Sequence, residues 1–254
     1  MIEQRLRKFY ESLPENRKKL IRGVFSWRSF IPFLRAYHKR RWVKGVYSQF
    51  GQDQRSFIFL SIARFCNINR PIEGYYFEFG SFGGNTMRKA LDNFRWLFDF
   101  TYVAFDSFEG LPEIQSIDKQ KIWVKGKLMV AEQEFAQKML HYGLPEDKFF
   151  TVKGFYDQSL TDELKQKLLP KKAAVIYIDC DLYASTIPVL EFIKDFLQKG
   201  TIIVIDDWNC FYGDPEKGER LAFRQFCEKY PNLRFEEFVQ TNEGKAFIFL
   251  GSNG

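Results

Sequence analysis

With 254 residues, 45% apolar and 18% aromatic with 29 Phe among them, the chain has ample material for a ring-rich globular core and is excluded from the disordered class. Its net charge of +6 is lopsided: residues 1–45 carry 13 Lys and Arg against three Glu, which leaves 25 against 29 for the remainder. Neither zinc-finger spacing, heptads nor an RNA-binding signature accompanies the basic head, which argues against nucleic acid, and scattered Cys66, Cys180, Cys210 and Cys227 argue against a disulfide framework.

Those four cysteines fit a reducing compartment. No stretch of 18 apolar residues runs without a charge, and the first residues contain no uninterrupted apolar segment, so the expectation is a cytoplasmic protein. The basic head suits phosphates, an acidic partner or peripheral contact with an anionic membrane at its inner face through residues 1–45; a solvated helical face is the blander reading.

Residues 1–70 read as helices over Glu3–Leu13, Glu15–Phe25 and Ser56–Cys66, punctuated by Pro14, Gly23, Pro32 and Gly51. From residue 71 strands and helices alternate. Tyr75–Phe79 is a first strand, followed by a glycine turn and a helix from Asn85 to Phe98. A second strand, Tyr102–Phe105, ends at Asp106, and a loop holding Gly110 and Pro112 leads to a helix over Ala131–Tyr142. Strand Lys148–Val152, closed by Gly154, precedes a helix over Thr161–Leu168. Ala173–Ile178 precedes a helix over Ile187–Leu197, and Thr201–Ile205 precedes one over Lys217–Lys229. Phe235–Val239 and Lys245–Leu250 close the chain as a hairpin across Asn242, Glu243 and Gly244. Five strand-helix units and a terminal hairpin predict a seven-stranded, mostly parallel α/β sheet with an antiparallel last strand. The expected division is a basic helical extension or lid, 1–70, and a catalytic domain, 71–254.

Two apolar runs end in acids: Ala174–Ile178 in Asp179-Cys180-Asp181, and Ile202–Ile205 in Asp206-Asp207. Carboxylates at the carboxyl ends of buried parallel strands face the crevice where open α/β sheets bind ligands. Held together they repel, and a hard cation (magnesium, calcium or manganese) neutralises an all-oxygen site better than zinc does. The competing reading is that these acids cap helices or pair with lysines. Upstream, the turn Gly80-Ser81-Phe82-Gly83-Gly84 departs from dinucleotide GxGxxG spacing, and no Gly-Lys-Ser/Thr marks a triphosphate site. Asp106, at the end of the next strand, stands where an acid takes ribose hydroxyls, and so points to a nucleoside ligand.

Glu78-Phe79-Gly80 with Gly83-Gly84, then Asp106-Ser107-Phe108-Glu109-Gly110-Leu111-Pro112, then Asp179-Cys180-Asp181-Leu182-Tyr183, then Asp206-Asp207-Trp208, follow in order and spacing the pattern of the macrocin O-methyltransferase family. The chain resembles that family over residues 70–230. The resemblance implies a Rossmann-like class I methyltransferase that uses S-adenosylmethionine and magnesium (or manganese or calcium) to methylate a hydroxyl of a sugar or glycosylated metabolite. It implies further that Glu78, Gly80 and Gly83, with Ser81 in the same turn, shape the cofactor pocket, and that Asp106 holds the ribose. Ser107, Phe108, Gly154 and Phe155 would line the adenine side, Phe108 serving equally well as plain core. Asp179, Asp206 and Asp207 would bind the metal.

Asp181, the second acid of the Asp-x-Asp, falls on the base proposed for the noviose branch of the family. The mycinamicin branch is thought to use a His in its C-terminal segment, and none follows Asp207 here; His38 and His141 read as solvated or structural. The alternative for Asp181 is hydrogen bonding to the turn that follows it. A metal-dependent glycosyltransferase is the rival function, because such enzymes also hold manganese and a sugar nucleotide on Asp-x-Asp. A homo-oligomer is compatible with the sequence, and the acceptor is not identified by it.

Overall fold

The computed structural model describes residues 8–24 and 27–253, with side chains for 8–19 and 34–253. The expected helices Glu3–Leu13 and Glu15–Phe25 thus lie partly outside the described residues. The chain divides into two compact units, 1–52 and 53–254. The first contains helix α1 (Glu15–Val24) and the opening of helix α2 (Trp27–Ile68), along which the side chains from Arg35 to Phe50, Trp42 and Tyr47 included, are exposed. Neither Pro32 nor Gly51 ends α2, although both read as breakers; a helical glycine costs only about 1 kcal/mol. No helix among the described residues is long and apolar enough to cross a membrane.

The second unit carries β1 (Tyr75–Phe79), α3 (Asn85–Phe94), β2 (Thr101–Asp106), α4 (Glu132–Tyr142), β3 (Phe149–Lys153), α5 (Tyr156–Ser159) and α6 (Asp162–Leu168). These lead to β4 (Ala173–Ile178), α7 (Tyr183–Ile193), β5 (Ile202–Ile205), α8 (Gly218–Lys229), β6 (Leu233–Gln240) and β7 (Lys245–Ser252). The strands form one seven-stranded sheet in the order β3-β2-β1-β4-β5-β7-β6, with β7 antiparallel to both of its neighbours. This is the mostly parallel sheet with an antiparallel last strand that the alternating pattern predicts, in the Rossmann-like form that the resemblance implies.

Successive side chains of a strand point to opposite faces, so each run of apolar residues feeds two cores. On one face Tyr76, Tyr102 and Tyr177 meet Ile58, Phe59 and Ile62 of α2 and Met87, Leu91 and Phe94 of α3. Residues 53–68 therefore pack on the sheet as part of its own unit. On the other face Phe77, Phe79, Phe105 and Ile178 meet Phe192 and Ile193 of α7 and Phe223 and Phe226 of α8. All residues of β1 and β4 are buried, as a central parallel sheet covered on both faces requires.

Elements of this unit also depart from the sequence pattern. Helix α3 stops at Phe94, with Arg95 capping back to Leu91 O, and so falls short of Phe98. The four-residue helix α5, lacking any run long enough to show a period, is not visible in the sequence. Helix α7 begins at Tyr183, ahead of the expected Ile187, because the buried Asp118 carboxylate accepts from the N–H groups of Tyr183 (2.7 Å) and Ala184 (3.1 Å). A distant acid thus does the work of an N-cap.

Candidate active site

Strand order reverses between β1 and β4, the position where a crevice opens beyond the carboxyl ends of an α/β sheet. Main-chain bonds lace that edge: Gly80 N–H donates to Phe105 O (2.9 Å), Asp179 N–H to Phe79 O (2.8 Å) and Asp206 N–H to Ile178 O (2.9 Å). Gly80 has no substitute there, because its φ is +86° and a Cβ at this position would lie only 1.9 Å from the Asp179 carbonyl oxygen. A cavity of about 470 Å³ runs along the edge and is lined by Gly80, Asp106, Ser107, Gly154 and Phe155 at one side and by Asp179 and Asp181 at the other.

On the β2 side most polar groups are already engaged. Asp106 Oδ2 accepts from the N–H groups of Ser81 (2.8 Å) and Phe82 (3.1 Å), and Oδ1 accepts from Phe108 N–H (2.8 Å). Three of about four acceptor positions on this carboxylate are taken, which fixes the glycine turn and leaves one for a ligand. Ser107 Oγ donates to Gly110 O (2.8 Å) and accepts from Glu109 N–H (3.1 Å), closing the loop on itself. Phe108 is buried with its ring 5.6 Å from that of Phe135 and does not line the cavity. Gly83 lies outside the lining too, and its carbonyl accepts from Lys138 Nζ (2.7 Å). Glu78 and Ser81 are buried below the turn. Glu78 Oε2 accepts from Tyr76 Oη (2.5 Å), while Oε1 and Ser81 Oγ have no partner. Burial pushes the Glu78 carboxyl up to about 8 against the opposing hydrogen bond from Tyr76 and the charge of Arg55.

The β4–β5 side is built differently. Carboxylate oxygens of Asp179, Asp181 and Asp207 converge within 4.8 Å of one another. Asp181 is the centre of a three-residue turn, Leu182 N–H to Cys180 O at 2.6 Å, and takes a φ of +62° to turn its carboxyl toward the others. Burial first, and then the neighbouring negative charges, raise Asp179, Asp181 and Asp207 above the ordinary carboxyl range. Asp207 Oδ1 accepts from Cys210 Sγ (2.9 Å), and Oδ2 is buried without a partner.

Asp206 stands apart from these three. Its Oδ2 is ion-paired with Arg55 Nη2 at 2.6 Å and its Oδ1 accepts from Tyr177 Oη. Burial alone would lower the Arg55 guanidinium, but the charge of and hydrogen bond to Asp206, with Tyr177 and Asp179, together outweigh it and hold the group further up. A fifth buried carboxyl, Glu219, bonds to backbone N–H groups of Cys180 and Asp207. Among the described residues Arg55 is the cation that forms an ion pair within this group. One guanidinium against five carboxyls, an orphaned Asp207 oxygen and an all-oxygen donor set fit a hard divalent cation.

Sequence reasoning found the strand-terminal acids and missed Arg55, Tyr177, Glu219 and Asp118. Arg55 bonds to a residue 151 positions away, and nothing local marks it. Glu219 has one faint signal, an acid in the first turn of a helix that follows an acidic strand end. His141 is exposed in the last turn of α4, outside the cavity lining.

A family model described as macrocin O-methyltransferase (TylF) matches residues 62–228. The 8-demethyl-8-(2,3-dimethoxy-alpha-L-rhamnosyl)-tetracenomycin-C 4'-O-methyltransferase of Streptomyces olivaceus is 31% identical over 109 residues, which span 41% of this chain and 40% of that enzyme. The fold is similar to that of the O-methyltransferase NovP (TM-score 0.62, 20% identity, 79% of this chain and 80% of that one). It is similar also to the calicheamicin methyltransferase CalS11 (TM-score 0.61, 18% identity, 96% and 90%). The matched segment takes in the glycine turn, Asp106 and both acidic clusters, which sets the glycosyltransferase alternative aside: the chain belongs to the macrocin O-methyltransferase family.

Proposed function

We propose that the protein is an S-adenosylmethionine-dependent, divalent-cation-dependent O-methyltransferase acting on a hydroxyl of a sugar or glycosylated metabolite. The observation that carries this reading is one continuous cavity lined at one side by Asp106 and the glycine turn and at the other by Asp179 and Asp181. A methyl donor and an alcohol bound in it would be neighbours, which is what in-line transfer needs. The Streptomyces relative's name specifies a methylated rhamnosyl group, and a sugar hydroxyl is the acceptor class assigned here.

When bound, S-adenosylmethionine supplies the methyl group, and a divalent cation supplies Lewis acidity and a template for adjacent hydroxyls. Gly80 and the Asp106 carboxylate would seat the nucleoside, with Ser107, Gly154 and Phe155 along its base side. Asp179 and Asp207 would hold the cation together with a lone pair of the Asp206 carboxylate that its bonds to Arg55 and Tyr177 leave free. Asp181 would take the proton of the acceptor hydroxyl, whose oxygen would receive the methyl group that bound S-adenosylmethionine supplies.

Thermal unfolding with added ligand, followed by transfer from radiolabelled donor to a panel of rhamnosides, tests the reading. S-adenosylhomocysteine at about 100 times its Kd should stabilise by about 2.7 kcal/mol, and UDP-sugars should not. Chelator treatment should abolish transfer and added magnesium restore it. Absence of a shift with S-adenosylhomocysteine, or full activity after chelation, would discard it.

A further inference from the structure

Glu219 is fully buried in the first turn of α8, twelve residues after Asp207 in sequence. Its two oxygens reach two different chain segments. Oε1 accepts from the N–H of Cys180 (2.8 Å), the residue between Asp179 and Asp181, and Oε2 accepts from the N–H of Asp207 (3.1 Å). The β4–β5 ladder pairs Val175–Ile178 with Ile202–Ile205 and gains one more bond, Asp206 N–H to Ile178 O. Beyond that bond the Glu219 carboxylate bridges the two segments that carry the acids.

This carboxyl forms no ion pair among the described residues, and it sits beside Asp207 and Asp181, whose charges oppose its own. Burying it there is unfavourable by itself. A carboxylate has two equivalent acceptor oxygens, however, and that suits two N–H donors held on separate loops. Gln offers one acceptor, and Ala would leave both N–H groups buried and unpaired, at about 1–3 kcal/mol each. Glu219 is not among the carboxylates that converge on the candidate cation position.

We propose that Glu219 is a positioning residue: by bridging Cys180 and Asp207 it sets the separation of Asp179 from Asp207, and so the affinity for the divalent cation. The inference rests on the cation reading above. Partners that orient metal-ligating groups typically change affinity by about 10- to 100-fold when removed.

Manganese binding, followed by electron paramagnetic resonance on wild type, Glu219→Gln and Glu219→Ala, tests it, with S-adenosylhomocysteine affinity measured by calorimetry on the same samples. Phe226→Leu, in the buried face of α8 away from the acids, is the control for general loosening. Glu219→Gln should weaken manganese binding by about 10-fold and Glu219→Ala by about 100-fold. Cofactor-product affinity should stay within about twofold of wild type, and Phe226→Leu should lower the melting temperature without changing manganese affinity. If Glu219→Ala does not fold, Glu219→Gln carries the test. Wild-type manganese affinity in Glu219→Gln, or an equal loss in Phe226→Leu, overturns the positioning role alone. Failure of the wild type to bind manganese overturns the cation reading and this role with it.

Discussion

Asp106 and Asp179 each follow an apolar parallel strand at the same edge of the sheet, yet their surroundings are opposite. Asp106 accepts three backbone N–H groups and fastens the turn in front of it. Asp179 is crowded by Asp181 and Asp207 and is held above the ordinary carboxyl range, first by burial and then by the charges of Asp206, Asp207 and Asp181. An acid at a strand end becomes a structural anchor where loop amides turn toward it. Where the next strand brings another acid instead, the carboxyls crowd one another, the arrangement on which the proposed cation site rests. Beside β2 lies the glycine turn that follows β1, whose N–H groups Asp106 takes up, whereas the β4 side has β5 and its own acids alongside.

The sharpest way to break this contrast is at Asp181. Asp181→Asn should lower the methyl-transfer rate by roughly two to four orders of magnitude, the usual span for a general base, while manganese and S-adenosylhomocysteine affinities remain near wild type. Asn also tolerates the positive φ of this position, so the turn should survive the change. Single-turnover kinetics at wild-type rate in this variant would remove Asp181 from the chemistry.

A smaller effect is expected on the other side of the comparison. Asp106→Ala should weaken S-adenosylhomocysteine by about 1.5–3 kcal/mol, the range for hydrogen bonds to charged groups, while leaving manganese affinity unchanged. Calorimetry that finds the cofactor product bound as tightly as before would assign Asp106 wholly to holding the turn.

The least effect belongs to Glu78, whose carboxyl is buried and pushed up to about 8 from the ordinary 4.5. The folded protein keeps this proton between those two values while the unfolded chain has released it. The contribution to stability is therefore complete below about pH 4.5 and is lost as pH rises through about 8. Glu78→Gln cannot ionise, so its melting temperature should fall less between pH 5 and pH 8 than that of wild type, by about a few degrees. Parallel melting curves for the two proteins across that range would show that Glu78 is ionised in the fold.

Most of the sheet is readable along the chain because its signals are local: short apolar runs, a turn or acid at the end of each, and a hairpin marked by Asn242-Glu243-Gly244. The acids of the crevice are readable for the same reason. What those acids bond to is not. Arg55 lies in a helix whose sequence gives no hint that one guanidinium is directed at Asp206, and Tyr177 looks like one more ring in a buried strand. Asp118 sits in an irregular stretch between β2 and α4, 65 residues before the amide it caps. Long-range polar pairing leaves no periodicity, and burial of a charge is decided by what closes over it.

The Asp118 cap also links the crevice wall to the start of α7. Pro112, Gln115 and Lys125, from the stretch between β2 and α4, line the cavity, and Asp118 secures that stretch through Tyr183 and Ala184, with Lys217 Nζ donating to Ile117 O (3.2 Å) as a second tie. Swinging this stretch outward to admit a bulky acceptor would uncap the helix and forfeit two charge-assisted bonds of about 1.5–3 kcal/mol each. Entry that leaves those bonds intact is cheaper, so under the proposed function an acceptor that fits the crevice as it stands is favoured.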